Sequence, residues 1–534
     1  MSSRDQDVMR PGTPGSDRSS TTKKTRVQNE QIDGQNDDDE KQDRLEPTHG
    51  SLPKGGEGES AIPEDRVEDA IENAEDDWEH DPRNPRIWDF WKKWRMVSIV
   101  SFYTFVTPLA SSMMAPALPK VSEHYHITSE TIGAMTLSIF LLTFAIGPLF
   151  LAPLSEIYGR TWVLHINNIL FLAFNLGCAF SPNVSVLIGM RILCGFFGSA
   201  PIACGGGSIS DLFSEKDRAS AMAVYSLGPL IGPAVGPIAG GFIAETIGFK
   251  YIFIVIAATC GVASACGIPF LRETYAPVIR LRIAQRSADP EKAAKAHPHL
   301  VHNHGGKLHL IWINLSRPFI LLTQSFVCFV LSLYMAFMYG IYYLMFTTFP
   351  SLFSDVYGFS PGIAGLCYIG LGLGFLLATF FGASFADKIY HTLSERNNGK
   401  GKPEYRIPPL IFGSLFVPIG LFWYGWSAQA KIHWIMPIIG TGIFGFGMMT
   451  TYLPIQLYLV DTFTYAASAL SAAAVFRSML GFAFPLFGEQ MYAALGNGGG
   501  NSLLAGFAIV LGIPFPIWLW FYGERIRARS SLAR

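Results

Sequence analysis

The sequence predicts an all-α membrane protein with twelve transmembrane helices in two pseudo-symmetric six-helix bundles. Three observations predict it. About twelve apolar stretches fill the chain from Val97 to Tyr522, each near the length of about 20 residues that a helix needs to cross a bilayer core of about 30 Å. The composition is 50% hydrophobic and only 15% charged, against about 25% charged in soluble domains. Most of the charge sits before the first stretch and in two loops. No water reaches backbone groups in the bilayer core, so each stretch must be helical. Function must then be read from the glycines, prolines and rare charges that interrupt the apolar runs.

Taken in order, residues 1–95 form a tail with an interfacial end. Positions 1–77 are rich in Ser, Asp, Glu, Lys, Gly and Gln and lack Phe, Tyr and Trp. Such a segment cannot bury enough surface to fold alone, so it reads as disordered. It offers Ser19, Ser20, Thr21 and Thr22 for phosphorylation. No apolar core opens the chain, so the first span serves as its own insertion signal. Trp88, Trp91 and Trp94 beside Lys92 and Lys93 are interface anchors. The expected spans run near 97–117, 132–153, 162–180, 185–209, 220–244 and 250–270 in an N-terminal bundle of residues 96–270. A hydrophilic central loop, 271–316, follows. The second bundle, 317–523, has spans near 318–346, 361–382, 408–427, 433–459, 466–490 and 502–522, and residues 524–534 are a C-terminal tail. The seven cysteines all lie in apolar runs without paired metal spacing and read as packing residues.

Lys and Arg fall on one set of loops, including Lys92, Lys93, Arg160, Arg218, Arg272, Arg280, Arg282, Arg406, Arg525 and Arg527. The opposite loops hold Lys120, Lys250 and Lys431. The positive-inside rule then places both termini and the central loop in the cytoplasm. The halves also echo each other. Span two ends in Ser155-Glu156 and span eight in Ala386-Asp387; span four runs into Asp211-Leu212-Phe213 and span ten into Asp461-Thr462-Phe463. Carriers are commonly built from such repeats around a midplane site.

Three motifs carry the functional reading. Leu154-Ser155-Glu156-Ile157-Tyr158-Gly159-Arg160-Thr161 joins spans two and three. Gly159 serves a tight turn. Glu156 is suited to a neighbouring helix N-terminus, and Arg160 to an acid or carbonyl. With Asp387 in the second half, these residues form a candidate conformational latch. Arg191 stands inside span four, where a cation costs about 3 kcal/mol or more and must face protein or a water-filled cavity. Span five carries Gly232-Pro233-Ala234-Val235-Gly236-Pro237-Ile238-Ala239-Gly240-Gly241. Glycines four apart let helices approach closely, and the prolines bend the helix.

The loop motif resembles the signature of the major facilitator superfamily, although Glu156 stands where relatives usually have Asp. The span-four segment Arg191-Ile192-Leu193-Cys194-Gly195 and the span-five segment resemble the motifs of its antiporters, with Cys194 where Gln is frequent. Further matches are Ala115-Pro116-Ala117-Leu118-Pro119, Arg272-Glu273-Thr274-Tyr275-Ala276-Pro277, Pro403-Glu404-Tyr405-Arg406 and Arg477-Ser478. They resemble the fungal branch of the twelve-span drug:proton antiporters, and the likeness covers Trp78 to Arg529. It implies proton-coupled efflux of drugs, fungicides or secondary metabolites, with an importer or polyamine transporter of the same fold as the alternative. It implies a role for Arg191 in proton coupling. It also implies a plasma-membrane protein, with the vacuolar membrane as the alternative, working as a monomer with lipid, protons and a small molecule as partners.

Arg477 lies near the middle of span eleven, so the interior holds two candidate cavity cations, Arg191 and Arg477. No carboxylate lies near the centre of a span. A polyvalent cation needs a buried acid to offset its desolvation, so the expected substrate is neutral or anionic and amphipathic. Tyr339, Tyr342, Tyr343, Tyr368, Tyr452 and Gln456 are the candidate cavity lining; an aromatic wall suits lipophilic ligands. The same absence leaves proton transfer to a peripheral acid or to Arg191 and its partners. The chain lacks His-Glu-x-x-His, Gly-x-Ser-x-Gly and the Gly-x-x-x-x-Gly-Lys-Ser/Thr phosphate loop, which argues against a membrane enzyme and an ATP-driven pump. His297, His299, His302, His304 and His309 could bind metal, but their loose spacing favours a solvated loop. No metal, cofactor or nucleic acid is expected.

Overall fold

Local capping starts several of the helices where they begin. Asp89 accepts from Trp91 N at 3.0 Å and opens span one. Asn183 accepts from Val186 N at 2.9 Å and opens span four. Ser325 accepts from Cys328 N at 3.3 Å and opens span seven. Each side chain satisfies a helix N–H that has no partner within the helix. In the computed structural model, residues 78, 80–214, 217–286, 306–463 and 466–528 are described. Residues 1–77, with the four hydroxyl residues of the tail, and the loop histidines His297, His299, His302 and His304 lie outside them.

Regular structure among the described residues is helical. Span one is Phe90–Ser112, continued by a 3₁₀ turn at Ala115–Ala117 and by Leu118–His124. Span two is Glu130–Tyr158, span three Arg160–Ala179, span five Arg218–Thr246 and span six Lys250–Phe270. Span four breaks at Ser199 into Val184–Gly198 and Ala200–Leu212. A short helix, Ala276–Arg286, follows span six. Span seven is Phe326–Tyr357, and span eight comprises Pro361–Leu366, Ile369–Leu377, a π-helical stretch Ala378–Gly382 and Ala383–Arg396. Spans nine and ten are Ile407–Gln429 and Ile435–Thr462.

The start of span seven differs from expectation. Helix Gly306–Gln324 runs across residue 316, because its apolar run begins at Leu308, and span seven proper starts only after the Ser325 cap. Eleven helical runs among the described residues are long and apolar enough to cross a membrane, and the last is Pro485–Arg527. That run is interrupted at Gly496, where φ is 71° and ψ is 167°. The chain folds back there. Tyr492 Oη donates to Asn501 Oδ1 at 3.1 Å, whereas residues nine apart in one straight helix are separated by about 13 Å along its axis. Ala466–Ala483 and the stretch up to Gly496 make span eleven; the remainder, with Pro514–Arg527, makes span twelve. Twelve spans result.

The halves meet through three pairs of spans. Spans one and seven share a hydrogen bond between Ser111 Oγ and Tyr343 Oη at 2.9 Å. Between spans two and eleven, Gln490 Nε2 donates to Thr131 Oγ1 at 3.1 Å, and Thr131 Oγ1 donates to the Leu486 carbonyl at 3.2 Å. Between spans five and eight, Glu245 Oε2 accepts from Gly362 N at 2.9 Å and from Ser360 Oγ at 3.0 Å. These contacts run from mid-span to the end away from the basic loops. The end bearing those loops is called the basic face below.

Candidate functional site

The mid-span cluster on the seam is built by spans seven, ten and eleven. Arg477 Nη1 donates to Tyr452 Oη in a short contact. Gln456 Nε2 donates to the same oxygen at 3.0 Å, as i and i+4 positions on one helix allow. The Arg477 guanidinium lies 4.6 Å from the centre of the Tyr339 ring, within cation–π range. Its Nε is buried with no hydrogen-bond partner among the described residues. Arg477, Tyr339, Tyr452 and Gln456 are all half-buried. One turn further along span eleven, Gly481 packs against Leu141 of span two and against Tyr339, which puts this face of span eleven on the seam.

The candidate lining divides in two. Tyr339, Tyr452 and Gln456 gather around Arg477. Tyr342, Tyr343 and Tyr368 are 3%, 2% and 1% exposed. They belong to a packed aromatic layer, with Tyr342 at 4.7 Å from Phe346 and Phe346 stacked on Tyr368 at 5.1 Å. Tyr343 connects the two sets, with its ring 5.0 Å from Tyr339 and its hydroxyl on Ser111.

Arg191 has no solvent exposure. It donates to three backbone carbonyls: Thr136 at 3.2 Å, Leu137 at 3.2 Å and Ala110 at 3.3 Å. Phe140 covers the guanidinium at 4.9 Å. In this conformation it ties spans one, two and four together and does not line open space, and no carboxylate pairs with it among the described residues. Cys194, where relatives favour Gln, is buried with its sulfur 4.0 Å from Cys178.

At the basic face each half carries one arginine between two acids. Arg160 Nε is 3.5 Å from Asp211, its Nη2 is 3.8 Å from Glu156, and its Nη1 donates to Ser155 Oγ at 2.6 Å. Arg406 Nε is 3.3 Å from Asp461, and its Nη1 is 3.6 Å from Asp387. Glu156 therefore corresponds to Asp387, and Asp211 to Asp461. The carboxylate at a helix N-terminus is Glu273, not Glu156. Glu273 accepts from Arg160 N at 2.9 Å and from Thr161 N at 3.4 Å, at the start of span three. Gly159 has φ of 100°, and a Cβ there would overlap the Glu273 carboxylate. In the sequence, Glu273 stands out only within a motif and Arg406 only within a motif and among the loop cations. The visible signal was the Asp-x-Phe echo in spans four and ten, but the pairing joins residues more than 50 positions apart. Burial, then the nearby Glu156 charge, pushes the Tyr275 phenol above its ordinary value, so it stays neutral against the Arg160 guanidinium at 4.9 Å.

The span-five motif presents two faces. Gly232, Gly236 and Gly240 lie against span one at Leu109, Ser112 and Met113, inside the N-terminal half. Gly241 and Pro237 lie against Pro361, Gly362 and Gly365 of span eight, across the seam. Nearby, also at the end away from the basic face, spans two, seven and eleven enclose a cavity of about 220 Å³ lined by Ser129, Glu130, Thr347, Ser351 and Glu489 among others. Glu489 Oε1 accepts from Ser351 Oγ at 2.9 Å.

Comparison with known proteins agrees with this architecture. The model of the Major Facilitator Superfamily matches residues 100–485. The chain is 44% identical over 456 residues to the efflux pump radE of Floropilus chiversii, covering 85% of this chain and 84% of that protein. It is 43% identical over 458 residues to the MFS transporter cpaT of Aspergillus oryzae, covering 84% of this chain and 90% of that one. Among solved structures, the xylose transporter XylE of E. coli in a partially occluded inward-open conformation superposes with a TM-score of 0.58 at 15% identity, over 80% of this chain and 99% of that chain. At that identity the superposition speaks for the fold alone. These matches place the chain among transporters and not among enzymes. The chain belongs to the Major Facilitator Superfamily.

Proposed function

We propose that this chain exports small lipophilic organic compounds across the plasma membrane by proton antiport. The single observation that carries the reading is the half-buried Arg477–Tyr452–Gln456–Tyr339 cluster, at mid-span on the seam between the halves. A polar group set into an aromatic wall at the midplane suits an amphipathic solute. The basic loops support a cytoplasmic placement of both termini, so the face sealed by spans five and eight is external. The relatives named as efflux pumps favour export over import.

The central part of the spans offers no acid, so a peripheral carboxylate is the proton carrier in this reading. Glu489, in a cavity between the halves, is the best placed. Arg191 acts in the same scheme through the packing of spans one, two and four. The test is a drug-sensitivity and efflux screen of a deletion strain. Loss of the protein should raise intracellular retention of lipophilic dyes, and re-expression should reverse it. Higher retention in cells that have the protein would favour the importer.

A further inference from the structure

We propose that Arg477, with Tyr452 and Gln456, holds an anionic group of the transported molecule, a carboxylate or an ionised enol or phenol on an aromatic body. This names the substrate class of the site above and rests on that reading. The first argument is charge. No carboxylate pairs with Arg477 among the described residues, and the acids of the spans lie at their ends: Glu130, Glu245 and Glu489 at one, Glu156, Asp211, Asp387 and Asp461 at the other. An interior charge without a counter-ion is costly until one arrives.

The second argument is a count of donors and acceptors. The Tyr452 oxygen already accepts from Arg477 Nη1 and Gln456 Nε2. Its own proton must therefore be donated to a third group. Arg477 keeps Nε without a partner, and its Nη2 has no hydrogen bond among those described. The cluster thus offers spare donors from two side chains and a positive charge. A guanidinium edge matches a carboxylate with two parallel hydrogen bonds.

Arg191 supplies the internal contrast. It too stands within a span, but three carbonyls and the Phe140 face occupy it and it has no exposure. Of the two interior arginines, Arg477 is the one with free donors and partial exposure. Tyr339 holds its guanidinium plane and, with Tyr343 at 5.0 Å, offers rings for an aromatic body.

The test uses purified full-length protein and a matched pair of probes, 1-naphthoate and 1-naphthamide, which share ring and size and differ in charge. Binding is read by titration and flux in proteoliposomes. The wild type should bind naphthoate about tenfold or more tighter than naphthamide. R477Q should bring that ratio to about one, and R477K should restore part of it. Y452F, which removes one donor and no charge, should weaken naphthoate binding several-fold and keeps the test informative if R477Q folds poorly. A wild-type ratio near one, or a ratio that survives R477Q, overturns the proposal. If the wild type moves naphthamide along an imposed gradient but shows no charge preference, the exporter reading stands and the anion site falls. If it prefers naphthoate yet moves neither probe, the anion site stands and the exporter reading falls.

Discussion

Arg191 and Arg477 are two interior cations of one chain in different surroundings: the first is fully hydrogen-bonded into its neighbours and the second keeps a donor without a partner among the described residues. A charge inside a span is costly unless it finds protein or water. Arg191 finds carbonyls on two neighbouring spans. R191A therefore removes three hydrogen bonds that tie spans one, two and four and should abolish flux while the protein still reaches the membrane, as read by transport and by membrane immunoblot; unchanged flux would remove Arg191 from the mechanism. Gly159 is bound by backbone geometry and by a neighbour at once. Its φ of 100° strains any other residue, and the Glu273 carboxylate fills the space of a Cβ. G159A should cost about 1–3 kcal/mol from the backbone alone and lower the melting temperature in detergent. An unchanged melting temperature would mean that Glu273 swings aside freely. Single residues were legible in the sequence where a charge stood in an apolar run. Glu273 was not, because its role depends on N–H groups more than 100 positions earlier in the chain.

Helices were easier to read, since an apolar run of membrane length admits little else. The departure fell where apolarity did not end with the helix: Ser325 stops one helix within an apolar run. Gly496, in a Gly-Asn-Gly-Gly-Gly segment, turns the chain in the gap expected between spans eleven and twelve. The motif of span five was legible as helix glue, but its division of labour was not. Positions 232, 236 and 240 share one face against span one, while 237 and 241 share the next face against span eight. The second set seals the two halves together, and Glu245 reinforces it by accepting from the first turn of span eight. G241L should therefore force spans five and eight apart and leave spans one and five in contact. Spin labels at the outer ends of spans five and eight should report a longer distance than in the wild type, with transport reduced at least about tenfold, since backbone contact at small residues is what holds such helices. An unaltered distance distribution would show that the seal does not depend on this face.

In the molecule as a whole, the two halves repeat an arginine between two acids at the basic face, and three pairs of spans share hydrogen bonds across the seam from mid-span to the other end. A carrier that tilts one half against the other must break the seam contacts in turn, and a ligand shifts that equilibrium only by its differential affinity for the two states. In the proposed scheme a proton on Glu489 would supply such a difference, because the carboxylate lies in a cavity shared by spans of both halves. E489Q should lose flux driven by a pH gradient and keep exchange of solute for solute, which needs no net proton movement. Loss of both would mark Glu489 as structural.

The most direct measurement is gradient-driven accumulation in proteoliposomes. Vesicles loaded at acidic pH are diluted into alkaline medium with a lipophilic aromatic dye. A proton antiporter should concentrate the dye above its equilibrium level, and a protonophore should collapse the gain. Dye uptake that is the same with and without the pH difference, by protein shown to bind the dye, would contradict the mechanism.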